Sequence, residues 1–202
     1  MKKSFPLILL IALAACRNQS GTGNSNDSLA VKKDTTKKEP FYPVTEYIQD
    51  QIAYVDSTPL PVEMLTFVNN KRVDSVIIDR KIFRQLAEEF LKPNLNDSNI
   101  KPNYSENSYH DLTINTLTFN YTTTNRSLEL QQTDVLLDPD TRKVKNVIFR
   151  KSRTVGDTLV SINGLWKNNM NFQLNYNMQP ENGKAITKQI KVIWDKPLEQ
   201  DY

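Results

Sequence analysis

Met170-Asn171-Phe172-Gln173-Leu174-Asn175-Tyr176-Asn177-Met178 alternates apolar and polar side chains from Phe172 to its end. In an extended chain, successive side chains point to opposite faces. Phe172, Leu174, Tyr176 and Met178 therefore share one face, and Gln173, Asn175 and Asn177 share the other. Helical spacing would scatter both sets around an axis. The period of two predicts a strand with one buried and one wet face, the pattern of antiparallel sheets.

The same reading extends in both directions. Pro180-Glu181-Asn182-Gly183 follows as a turn, and residues 185–194 form another β-rich run. Upstream, Lys167-Asn168-Asn169 separates the central strand from residues 158–166, and Gly156-Asp157 separates those from residues 144–153. Asp138-Pro139-Asp140-Thr141-Arg142-Lys143 is a turn with a mechanism: Pro139 presets φ and the aspartates bond nearby backbone. Residues 127–137 precede it. Before them, Leu117, Phe119 and Tyr121 alternate with Thr118, Asn120 and Thr122. Connections this short require antiparallel pairing, because parallel strands need crossovers of a dozen residues or more.

The N-terminal half of the domain has a different grammar. Ile48, Ile52 and Val55 recur at helical spacing with Tyr47 and Tyr54 flanking them; Thr45 is placed to cap and Asp56-Ser57-Thr58-Pro59 to stop this helix. Residues 62–67 and 73–78 are β-rich runs joined by the polar break Val68-Asn69-Asn70-Lys71-Arg72, a hairpin. Asp79 is an N-cap for a second helix, with Ile82, Phe83, Leu86, Ala87, Phe90 and Leu91 on its apolar face and Pro93 ending it. The order is α-β-β-α, then a polar loop over 92–113, then about six strands. No strand–helix alternation suggests a doubly wound sheet. The expected fold is α+β, a long curved antiparallel β-meander with both helices packed on one face. Element order alone also admits a LolA-like half-barrel, an analogy of fold that carries no function.

Candidate chemistry is sparse. His110, the chain's single histidine, stands in Tyr109-His110-Asp111 just before a strand, where it reads as a polar loop residue rather than a general base. No Gly-x-Ser-x-Gly elbow occurs. Asp138 and Asp140 would suit a weak cation site or a carboxylate pair, but two carboxylates in a tight proline turn are ordinary turn formers. An EF-type loop starting at Asn94 fails, with Asn99 where glycine is needed and Ser105 where a bidentate glutamate is needed. Transition-metal ligation would require histidines or cysteines that the chain lacks. Phe119, Tyr121, Phe172, Tyr176 and Trp194 serve either as core or as the lining of an apolar cavity. The expectation is no catalytic, cofactor-binding or metal-binding residue.

The first forty residues concern address rather than chemistry. Lys2 and Lys3 precede an apolar run from Phe5 to Ala15, too short to cross ~30 Å of hydrocarbon and so a signal-peptide core. Leu13-Ala14-Ala15-Cys16 resembles the lipobox of bacterial lipoproteins. The resemblance implies cleavage before Cys16, diacylation of its thiol and acylation of the new amine. Several acyl chains on one residue anchor firmly where one binds only marginally. Cys16 is the sole cysteine, so the remainder has no thiol for a disulfide. Arg17, not aspartate, follows it, and by lipoprotein sorting this favours the outer membrane, facing the periplasm. Residues 17–40 are poor in apolar side chains and read as a flexible tether with an r.m.s. span of about 25–30 Å. The organisation is thus a signal peptide over 1–15, a lipidated cysteine and tether over 16–40, and one domain over 41–202.

The formal net charge is +3, two units of which come from Lys2 and Lys3. That leaves no electrostatic case for nucleic acid. Three classes follow. The first is an envelope lipoprotein acting as a non-enzymatic interaction or binding module, its partner an envelope protein or the cell wall. The second is a carrier of a lipid or other apolar ligand, and the third a hydrolase with a weak polar site. An enclosed apolar cavity of at least ~300 Å³ separates the carrier from the interaction module.

Overall fold

The computed structural model describes residues 39–195. The signal run, Cys16 and most of the tether lie outside them. The domain is α+β. Helix α1 (Val44–Ser57) leads into hairpin strands β1 (Val62–Val68) and β2 (Lys71–Ile78), then helix α2 (Arg80–Ala87), continued by a single 3₁₀ turn, Glu88–Phe90. Seven strands follow: β3 (Ser105–Asp111), β4 (Thr116–Thr122), β5 (Leu130–Leu137), β6 (Val144–Val155), β7 (Thr158–Lys167), β8 (Asn171–Pro180) and β9 (Ile186–Ile193). They form one open antiparallel sheet of nine strands in the order β2-β1-β9-β8-β7-β6-β5-β4-β3. From β3 to β9 it is the expected meander. The N-terminal hairpin is then added through β1 to the free edge of β9.

Turn chemistry sets the registers. Asn69 and Asn70 both take positive φ, 47° and 64°, so β1 and β2 join by a two-residue turn whose twist matches the strands. The hairpin strands therefore reach Val68 and start at Lys71, and the polar break is only two residues long. Gly156, at φ 62°, makes the equally tight turn between β6 and β7.

The pleat puts the core on one side. Cross-strand partners Val147, Trp166, Phe172 and Val192 line up across β6, β7, β8 and β9, all facing the helices. Trp166 and Phe172 stack at 5.1 Å. Phe83 of α2 meets Trp166, Phe172 and Trp194 at 5.6–6.4 Å between ring centroids. Phe90 meets Phe149, Trp166 and Phe172 at 4.8–5.5 Å. Helix α1 adds Val44, Ile48, Ile52 and Val55, its buried stripe. Phe41 is buried against Tyr121, their ring centroids 4.7 Å apart.

Four expectations are corrected. Thr45 does not cap α1: the cap position is Pro43, two residues earlier, the helix starts at Val44, and the Thr45 hydroxyl points to the Leu91 carbonyl at 3.5 Å. Asp79 does cap α2, accepting from the Ile82 amide at 2.8 Å, but the α-helix ends at Ala87 and the 3₁₀ turn carries Phe90 inward. Tightening replaces the last α turn, and Ile82 is left exposed. The segment 92–113 is not all loop. Ser105–Asp111 pairs along β4 as an edge strand whose side chains are nearly all exposed, so it has no apolar alternation to read. Finally, Thr118 and Thr116 lie on the helix-free face yet are buried. Thr118 sits between its larger cross-strand neighbours Tyr109 and Leu136.

Candidate functional site

The residues singled out from the sequence are held apart. His110 lies in edge strand β3, exposed, with Nε2 at 3.2 Å from Asn115 Oδ1; the neighbouring Asp111 carboxylate accepts from the Thr113 amide instead. Asp138 accepts from the Thr141 amide and hydroxyl at 2.9 and 3.0 Å and from the Asp140 amide at 3.2 Å. Those bonds, that from the Thr141 amide first, hold its carboxyl below the usual range. They are the bonds of a turn. Asn96, inside the failed EF-type loop, brackets Phe41 by accepting from its amide at 2.9 Å and donating to its carbonyl at 3.1 Å. Among the described residues there is no group of three or more His, Cys, Asp or Glu side chains placed to share a metal ion. Cys16 lies outside the described residues.

Sequence reading missed a charged cluster at the end of α2. Strand β6 turns Val147, Phe149 and Lys151 to the helix side by simple alternation, so a lysine occupies a core position. Its residue is only 5% exposed. The ammonium donates to the Glu89 carbonyl at 2.6 Å and to Glu89 Oε2 at 3.1 Å, and lies 4.8 Å over the Phe149 ring. Arg153 reaches Glu89 Oε1 at 3.0 Å and Glu129 Oε1 at 2.8 Å. Burial pushes the Glu89 carboxyl up, but the Lys151 charge and the hydrogen bonds from Arg153 and Lys151 outweigh it and hold it low. Burial lowers the Lys151 ammonium despite Glu89. Tyr176, on the neighbouring inward face, is pushed up to about 12 by burial and then by the Glu89 charge.

This cluster floors an open cleft of about 500 Å³ between the 3₁₀ turn, Tyr104, Leu128 and β6. Its cations are already engaged. Two of them share one carboxylate, and the Lys151 ammonium is spent on Glu89 and an aromatic face. The arrangement straps the 3₁₀ turn to the sheet, as a buried charge requires. The readable signal was a lysine in phase with Val147 and Phe149; its partner lies 62 residues earlier, beyond any local pattern.

Among the described residues, no helix lies over the opposite face of the sheet. One row runs in register across it: Phe67, Gln189, Asn175, Asn163, Arg150, Gln132 and Thr122. Gln189 donates to Asn175 Oδ1 at 2.7 Å, and Arg150 donates to Gln132 Oε1. Two depressions lie along this row. One of about 240 Å³ is bordered by Phe67, Asn163, Asn175 and Gln189, with Asn70 and Lys188 at its rim. The other, about 600 Å³, lies among Thr122, Arg126, Gln132, Arg150 and Ser152. No family model, curated protein or solved structure matches this chain.

Proposed function

We propose that the chain is a membrane-anchored envelope lipoprotein whose domain acts as a non-enzymatic binding module, offering the helix-free face of its sheet to another envelope component. The observation that supports this reading is the filled apolar side. A carrier needs an enclosed apolar space of ~300 Å³ or more. Here Phe83 and Phe90 occupy the ground between helices and sheet, and the gap beside Phe90 and Phe149 holds only about 20 Å³. With the apolar core filled and the cleft at the end of α2 lined by charges already paired with one another, the broad polar face of β1 and β4–β9 is the surface assigned to a partner. The anchor is the Cys16 lipid that the lipobox resemblance implies, with Arg17 favouring the outer membrane and a periplasmic orientation.

Site-specific photocrosslinking in intact cells tests it. A benzophenone side chain at Asn163, in the middle of the polar face, should give discrete adducts, and one at Glu88, on the helix side, should give none. Adducts from Glu88 alone, or from neither position, would overturn the assignment of the face.

A further inference from the structure

The row on the helix-free face has a chemistry that narrows its partner. From Phe67 in β1 to Thr122 in β4 it crosses six strand spacings, about 29 Å at ~4.8 Å each. Its members offer four amides and the Thr122 hydroxyl, each with both donor and acceptor capacity. One aromatic ring, Phe67, closes one end on the same face. Tyr176 also borders the first depression, but its register turns the side chain to the helix side. Lys188, the cross-strand partner of Tyr176, is turned to the helix side with it; the charged residues left at the depressions are Arg126 and Arg150, and among the described residues no carboxylate borders either one. The nearest carboxylate on that face is Asp134, one row away and already bonded by Asn120 and Gln132.

These features select among partners. A protein interface centres on buried aromatic, Met or Arg anchors, and a single ring at one end of the row does not provide such a centre. Duplex nucleic acid presents a charge every ~1.7 Å, far denser than two cations on a row of about 29 Å. A row of amides and hydroxyls with sparse positive charge complements a polymer that is mostly hydroxyl, with a carboxylate at intervals. We propose that this face binds an acidic polysaccharide laid across the strands. Asn163, Asn175 and Gln189 take ring hydroxyls, Phe67 covers the apolar face of a sugar ring, and Arg126 and Arg150 meet its carboxylates. The inference rests on the reading of the helix-free face as the binding surface and names the chemical class of what binds there.

The test uses the full-length mature protein in detergent micelles at 0.15 M salt, with equilibrium binding to immobilised polygalacturonate. Neutral dextran and polyglutamate serve as controls. The polysaccharide should bind well above both controls. Arg126→Gln with Arg150→Gln should weaken it about tenfold, equivalent to 1.4 kcal/mol. Asn163→Asp, which places a negative charge mid-row, should weaken it similarly. Both variants should keep the wild-type melting temperature. Polyglutamate binding as tightly as polygalacturonate would reduce the effect to charge and overturn the proposal, as would equal binding of dextran or variants that bind like wild type. If polygalacturonate fails while the Asn163 crosslinker still captures a partner in cells, the polysaccharide assignment falls and the binding-module reading stands. If Asn163 captures nothing either, both fall.

Discussion

Gly164 in β7 stands opposite Phe149 in β6, and both face the helices. A Cβ built on Gly164 would lie 2.2 Å from Phe149 Cε1 and 2.5 Å from its Cζ, well inside van der Waals contact. The ring cannot simply swing away. It also meets Phe90 edge-on at 4.8 Å and the Lys151 ammonium at 4.8 Å. Gly164→Ala therefore forces the ring, and with it the 3₁₀ turn, to move. Overpacking of this kind costs about 1–3 kcal/mol. For a domain of this size each kilocalorie shifts the melting temperature by about 2–4 °C, so a fall of roughly 2–12 °C is expected in a thermal scan. The cause is then isolated by a double-mutant cycle. Phe149→Leu removes the two closest clashing atoms, Cε1 and Cζ, and carries its own cavity cost, so Gly164→Ala added on top should cost much less. The coupling should be about 1 kcal/mol or larger. An unchanged melting temperature for Gly164→Ala, or additive losses in the pair, would refute the account of how the ring is held.

Phe90→Ala should cost about 3–5 kcal/mol in denaturant unfolding, because the ring is nearly inaccessible and touches three others; Leu86→Ala, half-buried, should cost about 1–2 kcal/mol. Glu89→Ala leaves the Lys151 ammonium, whose side chain is only 4% exposed, without its carboxylate and should cost about 3–5 kcal/mol by the same measurement. The pH dependence has a defined sign. The Glu89 carboxyl is held below its ordinary 4.5, so its contribution is complete above that value and is lost as pH falls through the lower folded value. Urea midpoints measured from pH 7 down to 2 should show this acid limb and show it weakened in Glu89→Gln. His110→Ala should stay within about 0.5 kcal/mol of wild type in the same assay, since the ring is exposed on an edge strand.

Local patterns carried most of the fold because burial leaves a periodic trace. Phe172–Met178 and Leu117–Tyr121 recorded which side of each strand faces the helices, and Ile48, Ile52 and Val55 recorded the stripe of α1. Ser105–Asp111 left no trace, since nearly all its side chains are exposed and its pairing with β4 is made by backbone alone. The docking of β1 on β9 was equally silent. It joins segments more than a hundred residues apart, and neither carries a mark naming the other. Thr45 failed as a cap because helix starts shift by a residue or two at little cost, and Leu91 offered its hydroxyl another acceptor. Lys151 was half legible. Its phase with Val147 and Phe149 places a charge in the core and demands a partner, but Glu89 is identified only once the 3₁₀ turn is folded onto the sheet. The polar row from Phe67 to Thr122 was readable strand by strand as wet positions; its continuity follows from registers that only the folded sheet provides.

The reading that the domain works from a lipid anchor stands on Leu13-Ala14-Ala15-Cys16, and it is tested by metabolic labelling with a clickable fatty-acid analogue. Cells producing the wild-type chain should yield a labelled protein that sediments with the membrane fraction. Cells producing Cys16→Ser should yield an unlabelled one that does not. Equal labelling of the two, or no labelling of either, would contradict the account.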